Sequence, residues 1–206
     1  MPYARKMYRP RRSYRPRSGV TRKSVQAIVN RTVQKRSETK QKFLNVTIPT
    51  TMTSAAPILL EFTDLGQGMT QTSRIGNQIR WSGLFGKVAF RTGTTKTTMV
   101  RFVLYIPYDS DNELTTLTPM TLIDEDKFTI LHDKTYILNA QGGQGRIMTL
   151  RKSFFRGMRK GIQSQFSSPD GDSCERNAIK IAICTDGASA DTVSTEYRLR
   201  GYFKDY

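Results

Sequence analysis

The sequence predicts an all-β protein: an antiparallel sandwich of about eight strands behind a basic N-terminal arm. Three observations point there. Beyond Phe43 the chain is rich in Thr, Val, Ile, Phe and Tyr and is broken every few residues by Gly, Pro, Asn or Asp, the composition of short strands joined by turns. No long helical period interrupts these runs, so the βαβ rhythm of a parallel sheet is missing. Charge is also divided unevenly. The first 42 residues hold fourteen basic residues and one acidic residue, Glu38, a balance of +13, which leaves +3 of the formal +16 for the rest. With 206 residues the chain suits one domain of ordinary size plus a tail. The arm is therefore expected over 1–42 and the β domain over 43–206.

The predicted strands follow in order. Phe43–Ile48 and Ile58–Phe62 open the domain, and Ile79–Arg91 carries glycines that suggest a bulge or bend. In Met99–Ile106, Val100, Phe102, Leu104 and Ile106 share one face, and Pro107 ends the run. Phe128–Leu138 and Arg146–Phe155 come next. In Ala178–Cys184, Ile179, Ile181 and Ile183 share a face, and Glu196–Phe203 begins as apolar alternating with charged. The runs with clear alternation read as half-buried antiparallel strands. The jelly roll is the eight-stranded arrangement that packs such strands into two sheets. No repeat of fixed period is present.

The arm reads differently. Residues 1–19 mix Arg, Pro, Tyr and Ser with almost no aliphatic surface, too little to offset the entropy of ordering, so they are expected to be disordered when free. Between about 21 and 40, Val25, Ile28, Val29 and Val33 fall at helical intervals among Lys and Arg, which predicts a short amphipathic basic helix. The guanidinium and ammonium groups of Arg5, Lys6, Arg9, Arg11, Arg12, Arg15, Arg17, Arg22 and Lys23 suit phosphate oxygens, and Tyr3, Tyr8 and Tyr14 are spaced to stack on unpaired bases. These twelve residues are the candidate nucleic-acid-binding set. Arg9, Arg11, Arg12, Arg15 and Arg17 also form the kind of cluster that nuclear import receptors read.

Other chemistry has little support. Cys174 and Cys184 are too few for a disulfide framework, fit no zinc spacing with the single His132, and read as two reduced thiols. Gly66-Gln67-Gly68 and Gly142-Gly143-Gln144-Gly145 lack the Lys-Ser/Thr ending of a phosphate-binding loop. The acidic runs 109–113, 124–126 and 169–172 do not have EF-hand spacing and read as solvated loops, so no metal ligand is assigned. His132 has no neighbour in sequence that nominates it as a catalytic base, and no cofactor or enzyme activity is expected. Asn30-Arg31-Thr32 and Asn45-Val46-Thr47 match the glycosylation pattern, but nothing resembles a signal peptide or a membrane span, so neither secretion nor membrane insertion is expected.

Three stretches carry a resemblance to a known family. Ser73-Arg74-Ile75-Gly76-Asn77-Gln78-Ile79, Phe128-Thr129-Ile130-Leu131-His132-Asp133-Lys134-Thr135-Tyr136 and the aromatic closing run Tyr197–Tyr206, together with the Arg-Tyr-Pro opening, resemble capsid proteins of small circular single-stranded DNA (Rep-encoding) viruses. Their shell domain is similar to that of satellite tobacco necrosis virus. The resemblance implies a single jelly roll, self-assembly into a small icosahedral virion, an internal arm on the single-stranded genome, and entry into the host nucleus through import receptors. It favours DNA over RNA, and it allows calcium between subunits without assigning ligands. If about sixty arms of +13 lined one shell, about 780 positive charges would offset most of a genome on the order of one thousand nucleotides. Two rivals remain open on the residues: a cellular nucleic-acid-binding or architectural protein with a basic tail, which should carry basic residues on its domain surface, and an enzyme or sugar-binding jelly roll with a localisation tail.

Overall fold

The computed structural model describes residues 25–26, 28–29, 38–52, 57–92, 96–109, 112–139, 145–154, 161–167, 174–187 and 193–205. The chain divides into two units, Met1–Ser37 and Glu38–Tyr206. In the first, Val25, Gln26, Ile28 and Val29 are helical, and Val25, Ile28 and Val29 expose much of their apolar surface. The rest of the expected helix up to Ser37 lies outside the described residues. Its predicted end is corrected, because Lys40 opens a strand.

In the second unit the described residues form ten strands: β1 Lys40–Met52, β2 Ile58–Glu61, β3 Gln78–Thr92, β4 Thr98–Pro107, β5 Phe128–Leu138, β6 Gly145–Ser153, β7 Ile162–Phe166, β8 Cys174–Arg176, β9 Lys180–Thr185 and β10 Val193–Asp205. All eight predicted runs are strands. The two additional ones, β7 and β8, are short, although Ile162, Ser164 and Phe166 do alternate inward against two outward glutamines. One sheet runs β1-β10-β3, with β3 then paired to β6 along one half and to β7, which in turn pairs with β8, along the other; the second runs β2-β9-β4-β5. Without the β7–β8 insertion, the eight remaining strands form two antiparallel sheets, β1-β10-β3-β6 and β2-β9-β4-β5, in the order of a jelly roll.

The sheets pack face to face on one core. Trp81, Phe90, Leu199 and Phe203 from the first meet Phe102, Leu104, Ile181 and Ile183 from the second, all buried. Trp81 is the centre of an aromatic stack, 5.2 Å from both Phe62 and Phe203. Lys40 is buried at the end of β1, where its ammonium pairs with Asp205 at 2.8 Å and donates to the Ser73 carbonyl at 2.9 Å. Lys42 donates to the Asp64 carbonyl. Both lysines counted with the arm therefore brace the β domain.

The strand β3 does not alternate uniformly. Tyr202 of β10 pairs with Gly83 and the next residue, Phe203, pairs with Trp81, so Ser82 is an extra residue, a bulge. Before it Ile79 and Trp81 face the core; after it Leu84, Val88 and Phe90 do. At the same point β3 changes partner, from β7 up to Trp81 to β6 from Gly83 onward. The glycine-marked bend predicted in this run is this bulge.

One expectation fails in an instructive way. β4 and β9 are buried on both faces. The alternation in Val100, Phe102, Leu104 and Ile106 does identify the core face, but the other face lies under the β4–β5 connection, where Leu114 and Leu117 cover Val103, Tyr105, Ala182 and Cys184. Arg101 fastens that connection: it donates to Asp133 at 2.8 Å and to the carbonyls of Thr118 and Thr121. Loop coverage depends on contacts distant in sequence, so the strand's own pattern does not report it.

Gly201 lies beside Trp81 on the core face of the first sheet, and an added Cβ would collide with the rings of Phe62 and Trp81. Gly201→Ala is expected to lower unfolding stability by about 1–3 kcal/mol through overpacking, read as a lower urea midpoint at unchanged slope. An unchanged midpoint would mean that the aromatic stack yields space freely.

Candidate nucleic-acid interface

The predicted site residues Tyr3, Arg5, Lys6, Tyr8, Arg9, Arg11, Arg12, Tyr14, Arg15, Arg17, Arg22 and Lys23 lie outside the described residues. What the described residues bring together is a second basic, aromatic surface on the β domain.

Side chains alternate across a strand, so every residue of the first sheet that is not in the core points to its outer face. On β10 these are Ser194, Glu196, Arg198, Arg200, Tyr202 and Lys204, and after the Ser82 bulge β3 contributes Phe85, Lys87, Ala89 and Arg91. The cross-strand register aligns them in rows. Phe43 of β1 stands opposite Arg200, Arg200 opposite Phe85, and Phe85 opposite Arg151 of β6. Aromatic and cation thus alternate across four strands, a row about 14 Å long at the usual strand spacing. The next row is Asn45, Arg198, Lys87 and Thr149.

The contacts within the first row are tight. The Arg200 guanidinium lies 4.7 Å over the Phe43 ring, and Phe85 meets Tyr202 edge to face at 5.6 Å. Phe43 and Phe85 nevertheless remain 41% and 37% exposed. A shallow depression of about 380 Å³ lies between Phe43, Phe85, Arg198 and Arg200, and another of about 420 Å³ lies between Phe85, Lys87, Arg151 and Tyr202.

Charge on this face is one-sided. Lys87, Arg91, Arg151, Arg198 and Arg200 are exposed, and the one carboxylate among the outward residues of 85–91, 145–153 and 194–202 is Glu196, held 3.7 Å from Arg91 and 3.7 Å from Arg198. Over the stretch of this face between the Ser82 bulge and Arg91, five cations against one anion give +4, more than the +3 carried by the whole chain from Phe43 onward. The opposite side of the sandwich compensates. The connection 108–127 over the second sheet has six acidic residues and one basic residue, Lys127. A nearly neutral body therefore conceals a basic face and an acidic one.

Other candidate chemistry resolves into structure. Arg74, from the Ser73–Ile79 stretch, is fully buried, donates to the carbonyls of Leu65 and Gly76 at 3.0 and 2.7 Å, and stacks 4.1 Å from the Phe166 ring. The Gly66-Gln67-Gly68 loop hydrogen-bonds to Arg74 through its backbone. Both cysteines are free and buried; burial raises their thiol pKa, that of Cys184 to about 11, which keeps them protonated at neutral pH. Among the described residues no group of three or more His, Cys, Asp or Glu gathers as a metal site would require. No described helix is long and apolar enough to cross a membrane.

No family model matches the chain, and no curated protein matches it. Among solved structures, a chain of infectious bursal disease virus, Gx strain, aligns over 80% of this chain and 32% of its own length, at 11% identity and a TM-score of 0.35. Desmodium yellow mottle tymovirus aligns over 80% of this chain and 86% of its own, at 8% identity and a TM-score of 0.38. This chain spans about a third of the first of these. Likenesses this distant carry no argument about function; the strand order identifies the fold.

His132 is a structural group with a titration consequence. Its ring packs 6.0 Å from Phe102, and burial, then Lys152 and Lys134, hold its pKa below the ordinary 6.5. The unfolded chain then takes up this proton first. The stability linked to His132 is present above pH 6.5 and falls as pH drops through the lower folded-state value. Denaturant titrations across that range should show this loss, and His132→Gln should remove its share; an identical pH slope in the variant would contradict the burial argument.

Proposed function

We propose that the chain is a viral coat protein that self-assembles into a small icosahedral shell and packages single-stranded nucleic acid through its basic N-terminal segment. The observation that carries this reading is the concentration of charge outside the β domain. With Lys40 and Lys42 assigned to β1 and Glu38 to the second unit, residues 1–37 hold twelve basic and no acidic residues, +12, ahead of a jelly roll. In a shell of about sixty copies this segment would supply about 720 positive charges, and counterion release would drive packaging with little regard to sequence.

Self-assembly has its own support. Met69, Ile75, Met120 and Leu122 lie in connections between strands and are 95%, 57%, 77% and 94% exposed. Large apolar side chains left in water suit surfaces that neighbouring copies cover. In the finer reading the genome is DNA, on the resemblance of the three sequence stretches, and Arg9, Arg11, Arg12, Arg15 and Arg17 serve nuclear import. The Arg and Tyr chemistry of the arm suits DNA and RNA alike.

A cellular nucleic-acid-binding protein is the second reading, and one observation favours it: the body does carry a basic face, as that reading requires. Oligomeric state separates the two. Electron microscopy of the full chain should show uniform small spheres whose nucleic acid survives nuclease. A chain beginning at Glu38, which keeps the Lys40–Asp205 pair, should lose most of that protected nucleic acid. Equal protection in both would refute packaging by the arm, and a monodisperse monomer over a range of salt and pH would transfer the assignment to the cellular protein.

A further inference from the structure

The outer face of the first sheet offers a second kind of contact, distinct from the arm. Two outer faces exist in the sandwich, and they are treated differently. The second sheet is roofed by its own connection, with Leu114 and Leu117 seated on it and Arg101 tying down Thr118 and Thr121. The β10–β3–β6 part of the first sheet keeps Phe85, Lys87, Arg151, Arg198 and Arg200 exposed. An all-phosphate electrostatic surface would need no aromatic rings, and an apolar protein interface would not place five cations around them. The combination of both is what unpaired nucleotides require: a ring face for the base and a cation for the phosphate.

We propose that the row Phe43, Arg200, Phe85, Arg151, with Tyr202 beside it, is a stacking platform for unpaired bases of single-stranded nucleic acid. Bases would lie against Phe85 and Tyr202 in the two depressions. The phosphates would run along Lys87 and Arg198 of the neighbouring row toward Arg91, further along β3. The +4 of this face adds a third to the +12 of residues 1–37, but its distinguishing property is selectivity. A duplex keeps its base faces stacked internally and offers this surface phosphates only. The platform rests on the reading that the chain holds single-stranded nucleic acid.

The test uses the full chain. After ultraviolet crosslinking to oligothymidylate and, separately, to oligouridylate, nuclease trimming and peptide mapping should place adducts on peptides containing Phe85 and Tyr202 as well as on the arm. At about 0.5 M salt, where phosphate attraction is screened, Phe85→Leu with Tyr202→Leu should weaken oligothymidylate binding by about tenfold and leave binding of a duplex of equal length unchanged. Arg198→Gln with Lys87→Gln should instead reduce the salt dependence, by about two in the slope of log affinity against log salt. Adducts confined to residues 1–37 would overturn the platform and leave packaging by the arm intact. No adduct anywhere, with particles free of nucleic acid, would overturn both. A particle in which a neighbouring copy covers Phe85 and Tyr202 would also overturn the platform. The adduct map of the unsubstituted chain decides the matter even if the leucine variant fails to fold.

Discussion

The extra residue at Ser82 is the constraint on which the first sheet depends. Side chains alternate with a period of two, so one inserted residue exchanges the faces of everything beyond it. Without the bulge, the parity that puts Ile79 and Trp81 in the core would also send Phe85, Lys87 and Arg91 inward and expel Leu84, Val88 and Phe90. The bulge keeps both halves of β3 correct. It is held from two sides: the Ser82 hydroxyl donates to the Tyr202 carbonyl at 3.0 Å, and the Phe154 amide donates to the Ser82 carbonyl at 3.0 Å. At this residue β3 also passes from β7 to β6, which brings Arg151 opposite Phe85. Core, topology and surface chemistry therefore share one local cause.

The sandwich that results is polar across its thickness. One outer face is basic and aromatic, and the other lies under an acidic connection. The net charge of the body hides this division, because opposite charges on opposite faces cancel in a sum. For a protein proposed to line a container, such polarity gives the two surfaces different partners: polyanion on one side, solvent on the other. The arm then supplies most of the charge, and the sheet face supplies contacts that discriminate unpaired from paired strands.

Much of the fold was legible in the sequence because it is encoded locally. Alternation in Val100 to Ile106 and in Tyr197 to Leu199, with turn residues between runs, marks strands without any knowledge of their partners. β8 was not legible, since three residues, Cys174–Arg176, leave no period to detect, whereas the Ile162–Phe166 alternation was a signal that could have been read. The second burial of β4 and β9 was hidden because Leu114 and Leu117 return over them from a connection of irregular structure. Lys40 looked like one more cation of the arm, and its role as a buried brace depends on Asp205 at the far end of the chain. The platform was invisible for the same reason. Phe43, Phe85, Arg151 and Arg200 are scattered through the sequence and meet only through the register of four strands.

The most direct measurement is a density map of the particle formed by the full chain, at a resolution that traces strands. The face bearing Phe43, Arg200, Phe85 and Arg151 is expected to line the interior, with nucleic-acid density against it, and the 108–127 connection to lie on the exterior. A shell with the acidic connection inward and the basic face outward would contradict this, as would a protein that forms no shell under any condition.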